Sequence, residues 1–395
     1  MTELAKGVFW VGEIDWGLRH FHGFALSTHR GSTYNAYLVK DEKIAVIDTV
    51  WGPFAERFIE NIREIVDPAR IDYVVVNHAE TDHSGSLPAL MRLCPNAVVV
   101  VSPRGRDSLK GHHHALGDNL RVVKSGERIR LGETELVFIE APLLHWPDSM
   151  LTYLAGRNAL FSSDAFGQHY ATSFRFDDQV DEGELFQEAL KYYANILTPF
   201  SDQVLRKIDE LLALAIPIDM ILPSHGVMWR GNPKRIVGAY QAWARQVPEK
   251  RAVVLYDTMW DGTRRMAEAI GRGFASGGVP CTLFHMGSMD RNDAITEIFK
   301  AKAVVVGSPT VNKGLLPGIM PVLEDLRGLR FKNKIGAAFA SYGWSGESLA
   351  LLEEHLKASG IALAAPGVRA LWQPTREDLA RCESFGRDLA RSVMG

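Results

Sequence analysis

The chain has 395 residues, of which 46% are hydrophobic and 23% charged, with a formal net charge of −3. That length suits two or three globular domains with sizeable cores, and the near-neutral balance excludes nucleic acid or another polyanion as the expected partner. Cys94, Cys281 and Cys382 are too far apart for a CxxC pair, a disulfide framework or a fused rubredoxin-type iron centre. Residues 1–6 are polar, no signal-like apolar stretch follows, and no run is long enough to span a membrane, so a cytoplasmic protein is expected.

In chain order, residues 8–11, 34–39 and 44–48 read as strands separated by turn residues. Residues 54–66 have helical spacing and lead into a β-branched, apolar run at 71–76. This run stops abruptly at Asn77-His78-Ala79-Glu80-Thr81-Asp82-His83, which places four metal-capable side chains within six residues. Ser84-Gly85-Ser86 follows, and residues 87–93 read as the next helix. The four side chains are therefore expected on a loop at the carboxyl end of a buried strand, where open α/β folds place their chemistry. Transition metals take imidazole nitrogen and carboxylate oxygen, and four such groups exceed what one ion takes from one loop. Two ions sharing the loop is the simpler reading, against a solvated polar turn as the plain alternative.

Further strands are expected at 97–102, 120–123, 135–140, 150–154, 159–163 and 220–223, with amphipathic helices at 183–196 and 201–214. His112-His113-His114 reads as part of a solvated loop without a role. Three more candidate ligands stand after strands: His145, Asp164 and His225. Two strand-rich halves with interspersed helices predict a layered αββα first domain over residues 1–248. Residues 246–251 read as a linker. After it, strands at 252–257, 281–285, 303–307, 335–341 and 361–368 each precede a helical stretch, which predicts a doubly wound parallel sheet over residues 249–395.

The order and spacing of His78, Glu80, Asp82, His83, His145, Asp164 and His225 resemble the metallo-β-lactamase fold. Its hydrolytic members carry His-x-His-x-Asp-His; here Glu80 stands at the second His position. That departure, together with the flavodoxin-like second half, resembles the flavodiiron proteins over essentially the whole chain. The resemblance implies one iron on His78, Glu80 and His145, and another on Asp82, His83 and His225, with Asp164 bridging. It leaves His83 open, because some members do not ligate the matching position. It also implies that His22 and Tyr192 face the metals as donors of protons or hydrogen bonds. Three hard carboxylates nearly offset two ferrous ions and suit their oxidation, which a zinc hydrolase does not need.

In the second half, the run Thr258-Met259-Trp260-Asp261-Gly262-Thr263 joins a strand to a helix. Its hydroxyls, loop amides and helix N-terminus suit a phosphate. Flavodoxins use Thr-x-Thr-Gly-x-Thr here; Trp260 and Asp261 depart from it, and Asp261 is expected to face solvent. Ser308-Pro309-Thr310-Val311-Asn312-Lys313 and Ser341-Tyr342-Gly343-Trp344-Ser345-Gly346 match the two flavodoxin loops that bracket the isoalloxazine, with Trp344 as the stacking face. One FMN is expected. No GxGxxG follows a strand, so a separate donor, such as a rubredoxin or a flavin reductase, must reduce it.

The expected function is a flavodiiron oxidoreductase that reduces dioxygen to water, nitric oxide to nitrous oxide, or both. The resemblance implies a head-to-tail homodimer or a dimer of dimers. One alternative is a zinc-dependent hydrolase of the same fold with a flavodoxin sensor. A plain electron carrier is the other, and it leaves the seven ligand candidates unexplained.

Overall fold

β-Branched residues build the middle of the first unit: Tyr73–Val76 reads YVVV and Val98–Val101 reads VVVV, and both are almost wholly buried. The computed structural model describes residues 2–21, 23, 26–114 and 119–395. It divides into two compact units, one formed by residues up to Tyr192 with Asp202–Gln241, the other by Tyr193–Ser201 with Ala242–Gly395.

The first unit holds two sheets. One runs Thr2–Ala5, Val8–Trp10, Tyr37–Lys40, Ile44–Ile47, Tyr73–Val76, Val98–Val101, Leu120–Val122; the other runs Arg128–Arg130, Glu135–Glu140, Met150–Ala155, Ala159–Ser163, Met220–Pro223. Side chains alternate faces along a strand, so Tyr37, Val39, Ala45, Ile47, Val75 and Val100 of the first sheet meet Leu136, Phe138, Leu154, Phe161 and Leu222 of the second in one core. On the outer faces, Gly105 of the helix Pro103–His112 lies against Val101. Leu160 and Ile221 turn toward Ile208, Leu211 and Val237 of the helices Ser201–Ala213 and Pro233–Ala244. The result is the αββα layering. Ile44–Ile47, Tyr73–Val76 and Val98–Val101 are parallel neighbours, as are Ala159–Ser163 and Met220–Pro223. Parallel pairing brings their carboxyl ends to a common edge.

The helix expected over 183–196 stops at Tyr192 and continues as one π-helical turn, Tyr193–Leu197. Thr198 bonds back to the carbonyl of Ala194, and Pro199 cannot extend the helix.

In the second unit the strands run Cys281–His285, Glu249–Tyr256, Ala301–Val311, Ile335–Tyr342, Ala362–Leu363, all parallel. The single strand expected over 361–368 is instead two short pieces. Ala362–Leu363 pairs with Ile335 and Gly336, and Val368–Leu371 pairs further along with Phe339 to Tyr342. Pro366, between the pieces, has no N–H for the ladder. Among the described residues no helix is long and apolar enough to cross a membrane.

Candidate functional site

The carboxyl ends of the parallel strands in the first unit are cross-linked before any ligand candidate is reached. Asn77 donates from its backbone N and its Nδ2 to Asp48 at 2.7 and 3.1 Å, and its Oδ1 accepts from Thr152 Oγ1 at 2.7 Å. His78 follows directly. Asp82 and His83 lie not on a loop but in a single helical turn, Thr81–Ser84. The carbonyl of His83 accepts from Thr49 N and Oγ1. Around His225, the Pro223 carbonyl accepts from Tyr37 and Asn35, and Gly226 N donates to Thr33 Oγ1. Gly226 has φ +79°, and a Cβ there would lie 1.3 Å from Gln168 Oε1. Only glycine fits, and Gln168 ties the turn at Val227 to the stretch that follows Asp164.

The seven candidates converge into two groups on either side of Asp164. Asp164 Oδ2 lies 3.4 Å from His145 Nε2 and 3.8 Å from His78 Nε2, with Glu80 Oε2 3.1 Å from His78 Nε2. Asp164 Oδ1 lies 3.2 Å from His83 Nε2 and 3.5 Å from His225 Nε2. Asp82 Oδ2 stands 3.2 and 3.1 Å from those two imidazoles. One carboxylate thus turns one oxygen to each group. All are buried except His145 and Glu80, whose side chains are 20% and 16% exposed.

These donor atoms call for cations. Asp82 Oδ1 and both Asp164 oxygens are buried without a hydrogen-bond partner, a costly state for a carboxylate unless a positive group faces it. Burial works against the charge on Asp164, yet the imidazoles beside it, His83 first and then His145, hold its carboxyl well below the usual range by their charge. Burial likewise opposes a charged His83, but Asp82 and Asp164 push it up to about 9. Protons here take the place that divalent ions fill, and the mixed imidazole and carboxylate set fits iron.

Tyr192 is buried, with its ring centroid 5.2 Å from that of His169. Burial first, and then the charge of Asp164, raise its phenol well above its ordinary value. His22 lies outside the described residues. Some contributors were not singled out from the sequence. Asp148 accepts from His78 Nδ1 at 3.1 Å, the Thr33 carbonyl accepts from His225 Nδ1 at 2.7 Å, and His169 Nδ1 lies 2.6 Å from Ser32 Oγ. Asp148 stands only three residues beyond His145, and an acid that close to a ligand candidate was the available signal. His113, read as solvated, is half-buried, with Nε2 2.9 Å from Ser84 Oγ at the end of the ligand-bearing turn.

In the second unit, a cavity of about 390 Å³ is lined by Thr258, Met259, Trp260, Gly262, Thr263, Pro309, Thr310, Ser341, Tyr342, Gly343 and Trp344. Thr258 Oγ1 is buried without a partner, beside the N-terminus of the 15-residue helix Gly262–Ser276. An anionic phosphate supplies what both lack. Asp261 points away, 57% exposed and paired with Arg264. Asp261, Ser308, Val311, Asn312, Lys313, Ser345 and Gly346 are not among the lining residues. Ser308 is fully buried and closes its own turn, donating to the Pro309 carbonyl and accepting from Leu316 N. Trp372 and Gln373, which the sequence did not single out, also line the cavity. The Trp372 ring lies 6.4 Å from that of Trp344, across Gly343, where a Cβ would come within 2.6 Å of it.

Comparison with known proteins matches both halves of the chain. A family model described as ODP family beta lactamase matches residues 33–226, and one described as Flavodoxin matches residues 254–386. A nitric oxide reductase from Moorella thermoacetica is 51% identical over 391 residues, covering 99% of this chain and 98% of the relative. The structure of rubredoxin oxygen:oxidoreductase from Desulfovibrio gigas superposes with a TM-score of 0.97 at 38% identity, over 100% of this chain and 98% of that one. The flavodiiron protein of Giardia intestinalis superposes with a TM-score of 0.93 at 36% identity, over 99% and 96%. This likeness supports a redox centre over a zinc hydrolase. With near-complete coverage in sequence and in structure, the chain belongs to the flavodiiron proteins, oxidoreductases whose cofactors are FMN and a non-haem diiron centre.

Proposed function

We propose that the chain reduces nitric oxide to nitrous oxide and dioxygen to water, drawing electrons from a separate protein. The observation that carries this reading is the placement of Asp164, with one oxygen toward His78, Glu80 and His145 and the other toward Asp82, His83 and His225. In our assignment these are the ligands of the two irons, His83 included, and Asp164 is the bridge. When bound, FMN supplies electrons and the iron pair supplies the redox-active site for the gas.

The chain's own residues do the rest. Glu80 and His145, the least buried donors, leave that side of the site open for a small gas. The buried Tyr192 keeps its proton on Oη at working pH and offers it as a hydrogen-bond donor beside Asp164; we assign the same role to His22. In the second unit, Thr258, Thr263 and the amides that open the helix at Gly262 hold the FMN phosphate, and Trp344 covers the ring. Ser308, Val311, Asn312, Lys313, Ser345 and Gly346 belong to the two loops that, in this assignment, bracket the isoalloxazine. The metal-carrying domain is taken as residues 1–248 and the flavin-carrying domain as 249–395, with Tyr193–Ser201 packed on the latter.

Further assignments follow from the relatives. One is named for rubredoxin, and a rubredoxin is our first choice of donor, with a flavin reductase as the second. A cytoplasmic, head-to-tail homodimer, free or paired into a dimer of dimers, would let each chain's FMN serve its partner's irons. Mixing a metal-dead chain with a flavin-dead chain tests this. Random pairing leaves about half of the dimers mixed, with one working pair each, and recovers about a quarter of wild-type activity. No recovery rejects the arrangement. For the reaction itself, steady-state turnover of each gas with a chemically reduced donor is the test. Turnover of neither gas by iron- and FMN-loaded protein overturns the reading.

A further inference from the structure

The two groups of donors around Asp164 match in residue type: each offers two imidazoles and one carboxylate of its own. They differ in what stands behind them. His78 turns Nε2 into the site, and its Nδ1 lies 3.1 Å from Asp148 Oδ2. An ionised carboxylate only accepts, so Nδ1 carries the proton and Nε2 is the free donor. His225 also turns Nε2 inward, but its Nδ1 donates to a neutral group, the Thr33 carbonyl, at 2.7 Å. The other buried carboxylate nearby, Asp48, accepts from Asn77 with both oxygens and from no imidazole.

Asp148 is built in firmly. It is 1% exposed. Its Oδ2 also accepts from Ala79 N at 2.8 Å, and its backbone carbonyl accepts from Ser102 Oγ at 2.7 Å. Ser102 in turn caps the helix Pro103–His112.

A carboxylate behind an imidazole raises its basicity more than a carbonyl does, and such outer partners are worth about 10- to 100-fold in metal affinity. A buried anion just beyond the donors also favours the more oxidised ion, because little solvent screens it. We propose that Asp148 is a positioning residue that makes the two metal positions unequal. Through His78 it renders the ion on the His78, Glu80 and His145 side the more tightly held and the more easily oxidised. This rests on the diiron reading above.

The test is anaerobic titration of metal-free protein with ferrous iron, together with the Mössbauer spectrum of the loaded protein. Asp148→Asn is close to isosteric. Its amide oxygen keeps both hydrogen bonds made by Oδ2, and its NH₂ takes the place of Oδ1, which has no partner. The charge is lost while the His78 and Ala79 contacts stay, and the buried NH₂ adds a cost to folding that is the same for both metal positions. The tighter binding step should weaken about 10- to 100-fold with the other step little changed, and one of two doublets should shift. Asp148→Ser, smaller and neutral, serves if the amide is not accommodated, as judged by circular dichroism. Wild-type binding and spectra in a folded variant overturn the proposal, and so does equal weakening of both steps, which marks a merely structural role. If wild-type protein takes up only one iron, the diiron reading falls, and this inference with it.

Discussion

The metal centre and the flavin cavity both sit at the carboxyl ends of parallel strands, yet they are built on opposite principles. The metal side places charge in a dry setting, so almost every donor is buried and its backbone is tied down by a second residue: Thr49 for His83, Asp48 for Asn77 beside His78, Asn35 and Tyr37 at Pro223. The flavin side presents a slot. Its walls are loop backbone, hydroxyls and tryptophan rings, and Trp260, Trp344 and Trp372 are largely exposed. Buried charge makes the first site all-or-none, because one missing donor strands the others. Stacking and neutral dipoles make the second graded, because each contact adds a modest increment.

The sharpest way to break this contrast is Asp164→Ala. It removes the carboxylate that faces both groups, so iron content and gas turnover should fall together, turnover by more than ~100-fold. Elemental analysis alongside steady-state rates checks this. A variant with normal iron content would show that the site tolerates loss of its central ligand and that the contrast is false.

Within the second unit a buried polar residue should behave in the same steep way, although it touches no cofactor. Gln246 accepts from Lys332 N at 2.9 Å and donates toward Thr198 O and Ser201 Oγ, and its own carbonyl accepts from Asn333. Gln246→Ala removes the side-chain bonds to Lys332 N, Thr198 O and Ser201 Oγ while the backbone bond from Asn333 stays, and should cost ~1–3 kcal/mol, read as a lower melting transition with FMN content unchanged. The same bonds explain why residues 193–201 cluster with this unit, although they precede it by some forty residues of the first unit.

The two sites also differed in how legible they were. A metal centre demands particular atoms, so His78, Glu80, Asp82, His83, His145, Asp164 and His225 stand out by type at strand ends. The groups that orient them, Asp148 and the Thr33 carbonyl, do not, because a backbone carbonyl has no letter and a lone acid looks like a surface residue. The flavin loops were legible by position after their strands. Trp372 was not, because the strand before it was read as one piece over 361–368, which placed its exit too early; Pro366 splits it and carries the chain on to Leu371. The fold itself was open to reading from periodicity. The break after Tyr192 was missed because the helical pattern runs on through Ile196, while Thr198 and Pro199 decide where the helix ends.

On the graded side, Trp372→Ala and Trp344→Ala should each weaken FMN by ~0.5–1.5 kcal/mol, the worth of an aromatic pair beyond area burial. Recovery of flavin fluorescence on dilution reads it. Flavin binding abolished outright by either single change would mean that this cavity is as steep as the metal centre.

The last prediction concerns a buried charge that makes no salt bridge among the described residues. Lys334 is 6% exposed and donates to the carbonyls of Phe299 and Ala301. Burial, with Lys302 nearby, pulls it from 10.5 down to about 7. The sign follows from proton counting. Below pH 7 both folded and unfolded chains carry the proton, and the cost of the buried charge is constant. Between about pH 7 and 10.5 the unfolded chain still holds the proton while the folded one has released it, so stability rises with pH through that window. The slope cannot exceed ~1.4 kcal/mol per pH unit, the ceiling for one proton. Lys334→Met removes the titration, so its stability should be flatter than wild type between pH 7 and 9, whatever its absolute value. Calorimetry of the transition that releases FMN, run for both proteins across that range, measures the difference in slope. Parallel curves would mean that Lys334 keeps its proton in the folded state, with the Phe299 and Ala301 carbonyls solvating the ammonium well enough to offset burial.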